Sequence, residues 1–404
     1  MPMLPPPDHR LAYLLGTPEG FAPRGAAIPY DALHCEFLAA LSSALLADAE
    51  ARRYADIVSF AYWCRKANIE RLRQDFSAPQ VRLGLGLTFH ITPSNVPVNF
   101  AFSFAFSLLA GNANIVRVPS REFAQTALLC RIMQGLFGLE KYRPIADGTV
   151  FVRYPQDDAI TGAFSALCDA RIIWGGDLAI NHIRTLPVPE RAREIAFADR
   201  YSFCVLDAPS IAGASDAEID RLAKGFFNDT LLMDQDACSS PSLVVWLGGG
   251  ALLPVAKKRF WDGVHGAIAA KYDLQASHVM EKFMMLCRDH IELDNIAGVD
   301  RHENFLYRIE LDSLPEQTDS LRGKYGYIYE YHAAYLDDVA PVVNTKYQTL
   351  TYFGLDREQL MHFVVGNRLS GIDRVVPVGS ALDIDVVWDG YDIVRTLSRI
   401  VDFR

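Results

Sequence analysis

The stretch Gly111-Asn112-Ala113-Asn114-Ile115-Val116-Arg117-Val118-Pro119-Ser120 decides how the chain is read. A Gly-Asn turn gives way to the β-branched run Ile115 to Val118, and Pro119 stops it. From Arg121 to Leu136 the apolar spacing becomes helical. Turn, strand and helix in this order make one strand-helix unit. The unit recurs downstream. Strands read at Thr149 to Arg153 and Arg171 to Trp174 are followed by helices near Asp157 to Cys168 and Asp177 to Arg184, and Phe203 to Asp207 reads as a further strand. Alternation of this kind predicts a doubly wound parallel sheet, whose ligands lie at the carboxyl ends of its strands.

On the N-terminal side, Leu33 to Ala51 and Ala55 to Phe76 read as helices, the second with Ile57, Phe60, Cys64, Ile69 and Leu72 near one face. Four regions follow: an N-terminal helical layer over 1–80, a sheet domain over 81–207, a second α/β domain over 208–375, and a C-terminal segment over 376–404. In the second domain Ala217 to Phe227, Arg259 to Tyr272 and Ser277 to Cys287 read as helices. Leu243 to Leu247, Phe305 to Leu311 and Ala340 to Val343 read as strands. Tyr391 to Val401 reads as a helix packed on the first domain or on a partner subunit.

The chain has 404 residues, half of them hydrophobic, and a formal net charge of -10. That is a globular composition. It argues against non-specific nucleic-acid binding, which needs a basic surface. Seven cysteines with no C-x-x-C pair suggest neither a disulfide framework nor a zinc cluster. His90, His182, His290 and His362 have no metal spacing, so no metal is expected. The longest apolar stretch, Val96 to Ala110, is interrupted by Asn99, Ser103 and Ser107 and is too short to span a bilayer. Met1 to Arg10 is proline-rich without an apolar run, so a cytoplasmic location is expected. Gly84 and Gly86 begin a G-x-G, but Phe89 stands where G-x-G-x-x-G needs its last glycine.

Three features carry chemistry. Cys238, in Met233-Asp234-Gln235-Asp236-Ala237-Cys238-Ser239-Ser240-Pro241, lies among small and polar residues between a helix and a strand. That setting suits an accessible nucleophile, and equally a packed cysteine. Asp234 and Asp236 would raise its pKa if close, so they are expected to point away. Asn95, between Pro93 and Pro97, is either a rigid amide donor to an oxyanion or a turn residue capping a helix. Arg117 and Ser120 fall where an adenosine ribose lies in an open α/β sheet, or are solvated residues at a strand end.

Together these features resemble the aldehyde dehydrogenase superfamily. Thr92-Pro93-Ser94-Asn95-Val96-Pro97 is similar to its oxyanion-asparagine motif. Gly111 through Ser120 resembles its adenosine-binding strand, with Arg117 in place of lysine. Ile173-Trp174-Gly175-Gly176-Asp177 resembles its pyrophosphate-side turn, and Cys238 its nucleophile. Asp234-Gln235-Asp236-Ala237-Cys238, Tyr347 through Gly354, Val378-Gly379 through Tyr391, and Leu397-Ser398-Arg399 narrow the resemblance to LuxC-like acyl-CoA reductases over about Val81 to Val401.

The resemblance implies an aldehyde-dehydrogenase-like α/β fold, a doubly wound cofactor domain plus an α/β catalytic domain. It implies an acyl-CoA reductase that makes an aldehyde through an acyl-Cys238 intermediate, with Asn95 in the oxyanion site. Arg117, Ser120, Gly175, Gly176 and Phe353 would bind the cofactor. Phe197 stands where aldehyde dehydrogenases carry the glutamate that activates water, and phenylalanine cannot act as a base.

NADPH is expected over NADH, because Ser120 replaces a glutamate that would repel a 2′-phosphate and the Arg117 guanidinium can bind one through paired N–H groups; Glu122 is the residue able to reverse this. The substrate is an acyl-CoA or other acyl-thioester, with a partner acyl-activating enzyme and a homo-oligomer as further expectations. A cofactor-independent cysteine acyltransferase or thioesterase, and a non-catalytic scaffold, are the alternatives.

Overall fold

The computed structural model describes residues 4–7, 9–77, 80–93 and 96–404. The chain forms two compact units, Met1–Ala198 with Tyr391–Arg404, and Asp199–Gly390.

The first unit contains β1 (Ala12–Leu15), β2 (Val81–Gly84), β3 (Leu87–Ile91), β4 (Ala113–Arg117), β5 (Thr149–Arg153), β6 (Ala170–Trp174) and β7 (Arg193–Phe197). Six of them form one sheet in the order β1-β5-β4-β3-β6-β7. Strands β3 to β7 run parallel, and β1 closes one edge antiparallel to β5. From β3 the chain winds outward through β4 and β5, then returns to place β6 on the other side of β3. The β3/β6 boundary is therefore the topological switch point, where an open α/β sheet forms its ligand crevice.

Helices α1 (Ala32–Ala47), α2 (Ala55–Trp63), α3 (Lys66–Asp75), α4 (Asn99–Leu109) and α5 (Ala124–Phe137) belong to this unit. One face of the sheet packs Ile115, Val150, Val152 and Tyr154 with Phe89 and Phe164. On the other, Phe151 meets Phe100 and Phe104 of α4 edge-on, with ring centroids 5.6 and 5.4 Å apart.

Four sequence expectations are corrected here. The single helix over Ala55 to Phe76 is two, because the chain turns at Cys64 and Arg65 is extended. Helix α5 begins at Ala124 rather than Arg121, leaving Ser120 in the loop before it. The C-terminal helix is one short turn, Ile393–Thr396, capped by Asp392. Ser398–Val401, with β-branched Ile400 and Val401, instead pairs antiparallel with β2. Leu336–Val342 is a 3-10 helix where Ala340 to Val343 reads as a strand; Tyr335 and Asp338 cap it and Pro341 cannot enter a central ladder.

The second unit holds β8 (Tyr201–Asp207), β9 (Pro241–Leu247), β10 (Ile296–His302), β11 (Leu306–Leu311), β12 (Tyr327–Ala333), β13 (Tyr347–Phe353) and β14 (Arg374–Pro377). They form one sheet in the order β10-β11-β12-β9-β8-β13-β14. Only the edge strand β10 is antiparallel to its neighbour. Strand β8, which the alternation pattern joins to the first sheet, lies inside this one between β9 and β13.

Candidate active site

In the second unit Cys238 closes a tight loop between the 3-10 turn Leu231–Met233 and β9. Asp234 and Gln235 both take left-handed backbone, with φ of 54° and 62°. Two such non-glycine residues in a row persist only where surrounding contacts over-determine them. Here the buried Gln235 amide accepts from Gly326 N at 2.7 Å and donates to the Tyr327 carbonyl at 3.3 Å. The flanking carboxylates are engaged elsewhere. Asp234 accepts from the Tyr272 hydroxyl, and Asp236 pairs with Lys324 at 2.5 Å.

The cysteine itself is half-buried. Ser202 donates to its carbonyl at 2.7 Å, and the Ser202 hydroxyl oxygen accepts from Thr349 N at 3.1 Å. Burial is the largest influence on the thiol and pushes its pKa up. The backbone N–H of Arg200 pulls it down, Asp389 and Asp199 push it up, and Arg322 pulls it down. The Arg200 guanidinium is clamped by Asp373, Asp389 and the Tyr347 carbonyl. Gln348 donates to the same Asp389 carboxylate. Cys238, Arg200 and Asp389 thus form one assembly at the amino ends of β8, β9 and β13.

Phe353, which the resemblance gives to the cofactor site, lies away from Cys238. Cys238 is level with Ser202 and Thr349, whereas Phe353 pairs with Leu206 at the far ends of β13 and β8. Four residues of strand separate them, about 13 Å. Phe353 packs instead against the cluster containing Leu206, Ala208 and Ile211.

The first unit carries the remaining candidates at the carboxyl ends of its parallel strands. Arg117 ends β4 with its guanidinium 4.6 Å from the Tyr154 ring centroid, and Nη2 donates to the Tyr154 carbonyl at 3.4 Å. Its backbone carbonyl accepts from Thr92 Oγ1 at 2.6 Å, tying the ends of β3 and β4 together. Ser120 is exposed in the loop beyond. Gly175 and Gly176 follow β6, and Gly176 caps the helix Asp177–Arg184 without a side-chain bond. A Cβ at Gly176 would meet nothing within 4 Å, so the glycine is not demanded by local crowding. It leaves open space at a helix N-terminus, a place that suits a phosphate. The Nε atoms of Arg117 and Arg153 are buried and find no partner among the described residues. Unpaired guanidinium donors and an open helix N-terminus are each features that suit a phosphate-bearing dinucleotide. Asn95 lies outside the described residues.

At the end of β7, Phe197 stacks on Trp174 at 3.7 Å and 18°, and Tyr391 meets it edge-on at 5.9 Å. Trp174 Nε1 donates to Ser103 Oγ at 3.1 Å, and Ser103 contacts His90 Nδ1 at 2.8 Å. His90 Nε2 lies 3.0 Å from Asn114 Oδ1. Asn114 Oδ1 can only accept, so Nε2 donates to it, and the neutral ring accepts at Nδ1 from the Ser103 hydroxyl. His90 is then neutral with its proton on Nε2. Complete burial agrees, pushing its pKa down to about 4. His90 is thus buried with both ring nitrogens engaged. Among the described residues no group of three His, Cys, Asp or Glu could hold a metal ion, and no helix is long and apolar enough to cross a membrane.

Sequence reasoning passed over Arg200, Ser202 and Asp389 as parts of this assembly. The signal was partial: Gln348, Thr349 and Asp389 fall in stretches that stood out but carried no role, and a buried charge pair 189 residues apart leaves no local pattern.

No protein of curated function matches the sequence. Solved structures of similar fold include a lactaldehyde dehydrogenase, 14% identical over 89% of this chain and 80% of that one, TM-score 0.60. Aldehyde dehydrogenase 21 from Physcomitrella patens, solved with the product succinate, is 12% identical over 96% and 88%, TM-score 0.64. An NAD-dependent aldehyde dehydrogenase from Sinorhizobium meliloti is 12% identical over 91% and 81%, TM-score 0.64. At such identities the likeness shows the fold, an aldehyde dehydrogenase fold of two α/β units. The family model described as Acyl-CoA reductase (LuxC) matches residues 65–402, and the chain therefore belongs to that family of aldehyde-related oxidoreductases.

Proposed function

We propose that the protein reduces an acyl-thioester to an aldehyde through an acyl group carried on Cys238. The observation that supports this is the setting of that thiol. It is half-buried, its carbonyl is held by Ser202, and the Arg200 backbone N–H favours its thiolate against the upward push of burial. The thiolate attacks the acyl carbonyl, and the donor thiolate leaves and takes a proton. Asn95 is proposed to donate to the oxyanion formed on the way. A reduced nicotinamide, when bound, supplies the hydride that converts the acyl-enzyme to a thiohemiacetal. Collapse of that adduct breaks the carbon–sulfur bond, restores the thiolate and frees the aldehyde. The balance is one acyl-thioester, one NADPH and one proton in; one aldehyde, one free thiol and one NADP+ out.

The first unit is proposed to bind the cofactor and the second to carry the nucleophile. Arg117, Ser120 and the Gly175-Gly176 turn would hold the adenosine and phosphate portions, with NADPH favoured over NADH. Phe197 offers no base to activate water, which suits reduction over hydrolysis. The donor is acyl-CoA or an acyl group delivered by an acyl-activating partner enzyme.

The test has two stages. Incubation with an acyl-CoA alone should add one acyl mass to the Cys238 peptide and release one equivalent of free thiol. Addition of NADPH should then discharge the acyl group as aldehyde. An acyl mass on another cysteine, or discharge as free acid, sinks the reading.

A further inference from the structure

We propose that Arg153, rather than Arg117, is the residue that reads the cofactor's 2′-phosphate, with Glu122 occupying its guanidinium until the cofactor binds. This rests on the NADPH reading above and names the residue that would make the choice.

The argument starts from the faces of the sheet. Arg117 on β4 pairs with Val152 on β5, so both project to the face that also carries Tyr154. There the Arg117 guanidinium lies against the Tyr154 ring and donates to its carbonyl, with its own Nε also buried and unpartnered among the described residues. Arg153, the next residue along β5, projects to the opposite face with Phe151, where α4 packs. The chain leaving β4 passes through Ser120 and Glu122 before α5. Glu122 Oε1 lies 3.0 Å from Arg153 Nη1, so this loop crosses onto the Arg153 face. Ser120, two residues earlier, is exposed in the same loop.

The pair is lopsided. The Glu122 side chain is 88% exposed and the Arg153 side chain 19%. An exposed carboxylate that swings freely and uses one N–H contributes little. The guanidinium is mostly buried, and its Nε is unpartnered among the described residues. A phosphate brings about two negative charges and three acceptor oxygens, and can engage a guanidinium fork through paired bonds. Exchange of Glu122 for a phosphate therefore replaces a weak single contact with a stronger paired one. Ser120 can add a neutral donor. NADH has only a hydroxyl there and leaves the Glu122 pair undisturbed.

The test is a set of binding measurements that need no turnover. Adenosine 2′,5′-bisphosphate is titrated calorimetrically, and NADPH and NADH by nicotinamide fluorescence. Arg153→Gln should weaken the bisphosphate and NADPH about tenfold or more, with NADH changed less than twofold. Arg153→Lys, which keeps the charge without the fork, should fall between. Glu122→Gln should tighten the bisphosphate. An unchanged NADPH affinity in Arg153→Gln, or an NADPH-specific loss appearing in Arg117→Gln instead, overturns the inference alone. Tighter binding of NADH than NADPH by the wild type overturns the cofactor reading itself, before any variant is made.

Discussion

The Cys238 thiol illustrates how one side chain is set by several opposing influences. Burial holds its pKa above the usual range, so little thiolate is present at neutral pH in the resting protein. Alkylation of Cys238 should therefore rise with pH past the ordinary thiol midpoint. Asp389 adds to the upward push, and Arg200, its partner, supplies the backbone N–H that pulls it down. Asp389→Asn removes a negative charge and should shift the alkylation midpoint downward. Mass spectrometry of the Cys238 peptide after timed iodoacetamide exposure reads this directly, and an unmoved midpoint shows that Asp389 does not reach the sulfur. Cys238→Ser should abolish acyl transfer and aldehyde formation while leaving the fold intact. Asn95→Ala should lower turnover roughly 10²- to 10³-fold with NADPH binding unchanged. A loss of only a few-fold leaves Asn95 a turn residue.

Elements were legible where local pattern and packing agree. The strands Thr149–Arg153 and Asp177–Arg184's helix stand where turn chemistry and periodicity put them. Strand β7 escaped notice because Arg193-Glu194-Ile195-Ala196-Phe197 mixes charge with few β-branched residues, and its partner β6 supplies what propensity does not. The C-terminal return failed for the same reason in reverse: Ser398–Val401 becomes a strand only because β2, more than 300 residues earlier, offers an edge. Of the candidate site, the Cys238 loop stood out in the sequence, but the clamp around it did not, since Arg200 meets Asp373 and Asp389 only in the folded unit. Side-chain exposures of 10% for Arg200 and 5% for Asp389 make this a buried pair. Removing one partner leaves the other charge stranded, at a cost of about 3–5 kcal/mol. Arg200→Ala should therefore lower stability by that amount in urea denaturation, and the Arg200→Gln, Asp389→Asn double variant should recover part of it. A loss below about 1 kcal/mol for Arg200→Ala shows the clamp to be dispensable.

Across the whole molecule, two buried groups make the units answer pH in opposite senses. His90, in the first unit, has its pKa pushed by burial from 6.5 down to about 4. The unfolded chain binds the extra proton first, so this unit keeps its full stability above pH 6.5 and loses it as pH falls toward 4. The span corresponds to about 3 kcal/mol. Asp229, in the second unit, runs the other way. Burial raises its pKa from 3.8 to about 6, against the backbone N–H groups of Gly379 and Ala381 that its two oxygens accept. There the folded state holds the proton more tightly, so the contribution is complete below pH 3.8 and is lost as pH rises through 6. A single melting temperature would blur these two trends, because a chain of two units need not unfold in one step. Hydrogen exchange with peptide resolution separates them. Corrected for intrinsic rates, protection of β3 and β4 should fall between pH 7 and pH 5, while protection around Val378 to Ala381 should hold or rise. His90→Gln carries no titrating ring and should flatten the first trend without touching the second. Asp229→Asn can accept only one of the two N–H groups and should loosen the 378–381 turn at every pH. Equal loss of protection in both regions on acidification would show that His90 and Asp229 are not what sets the response.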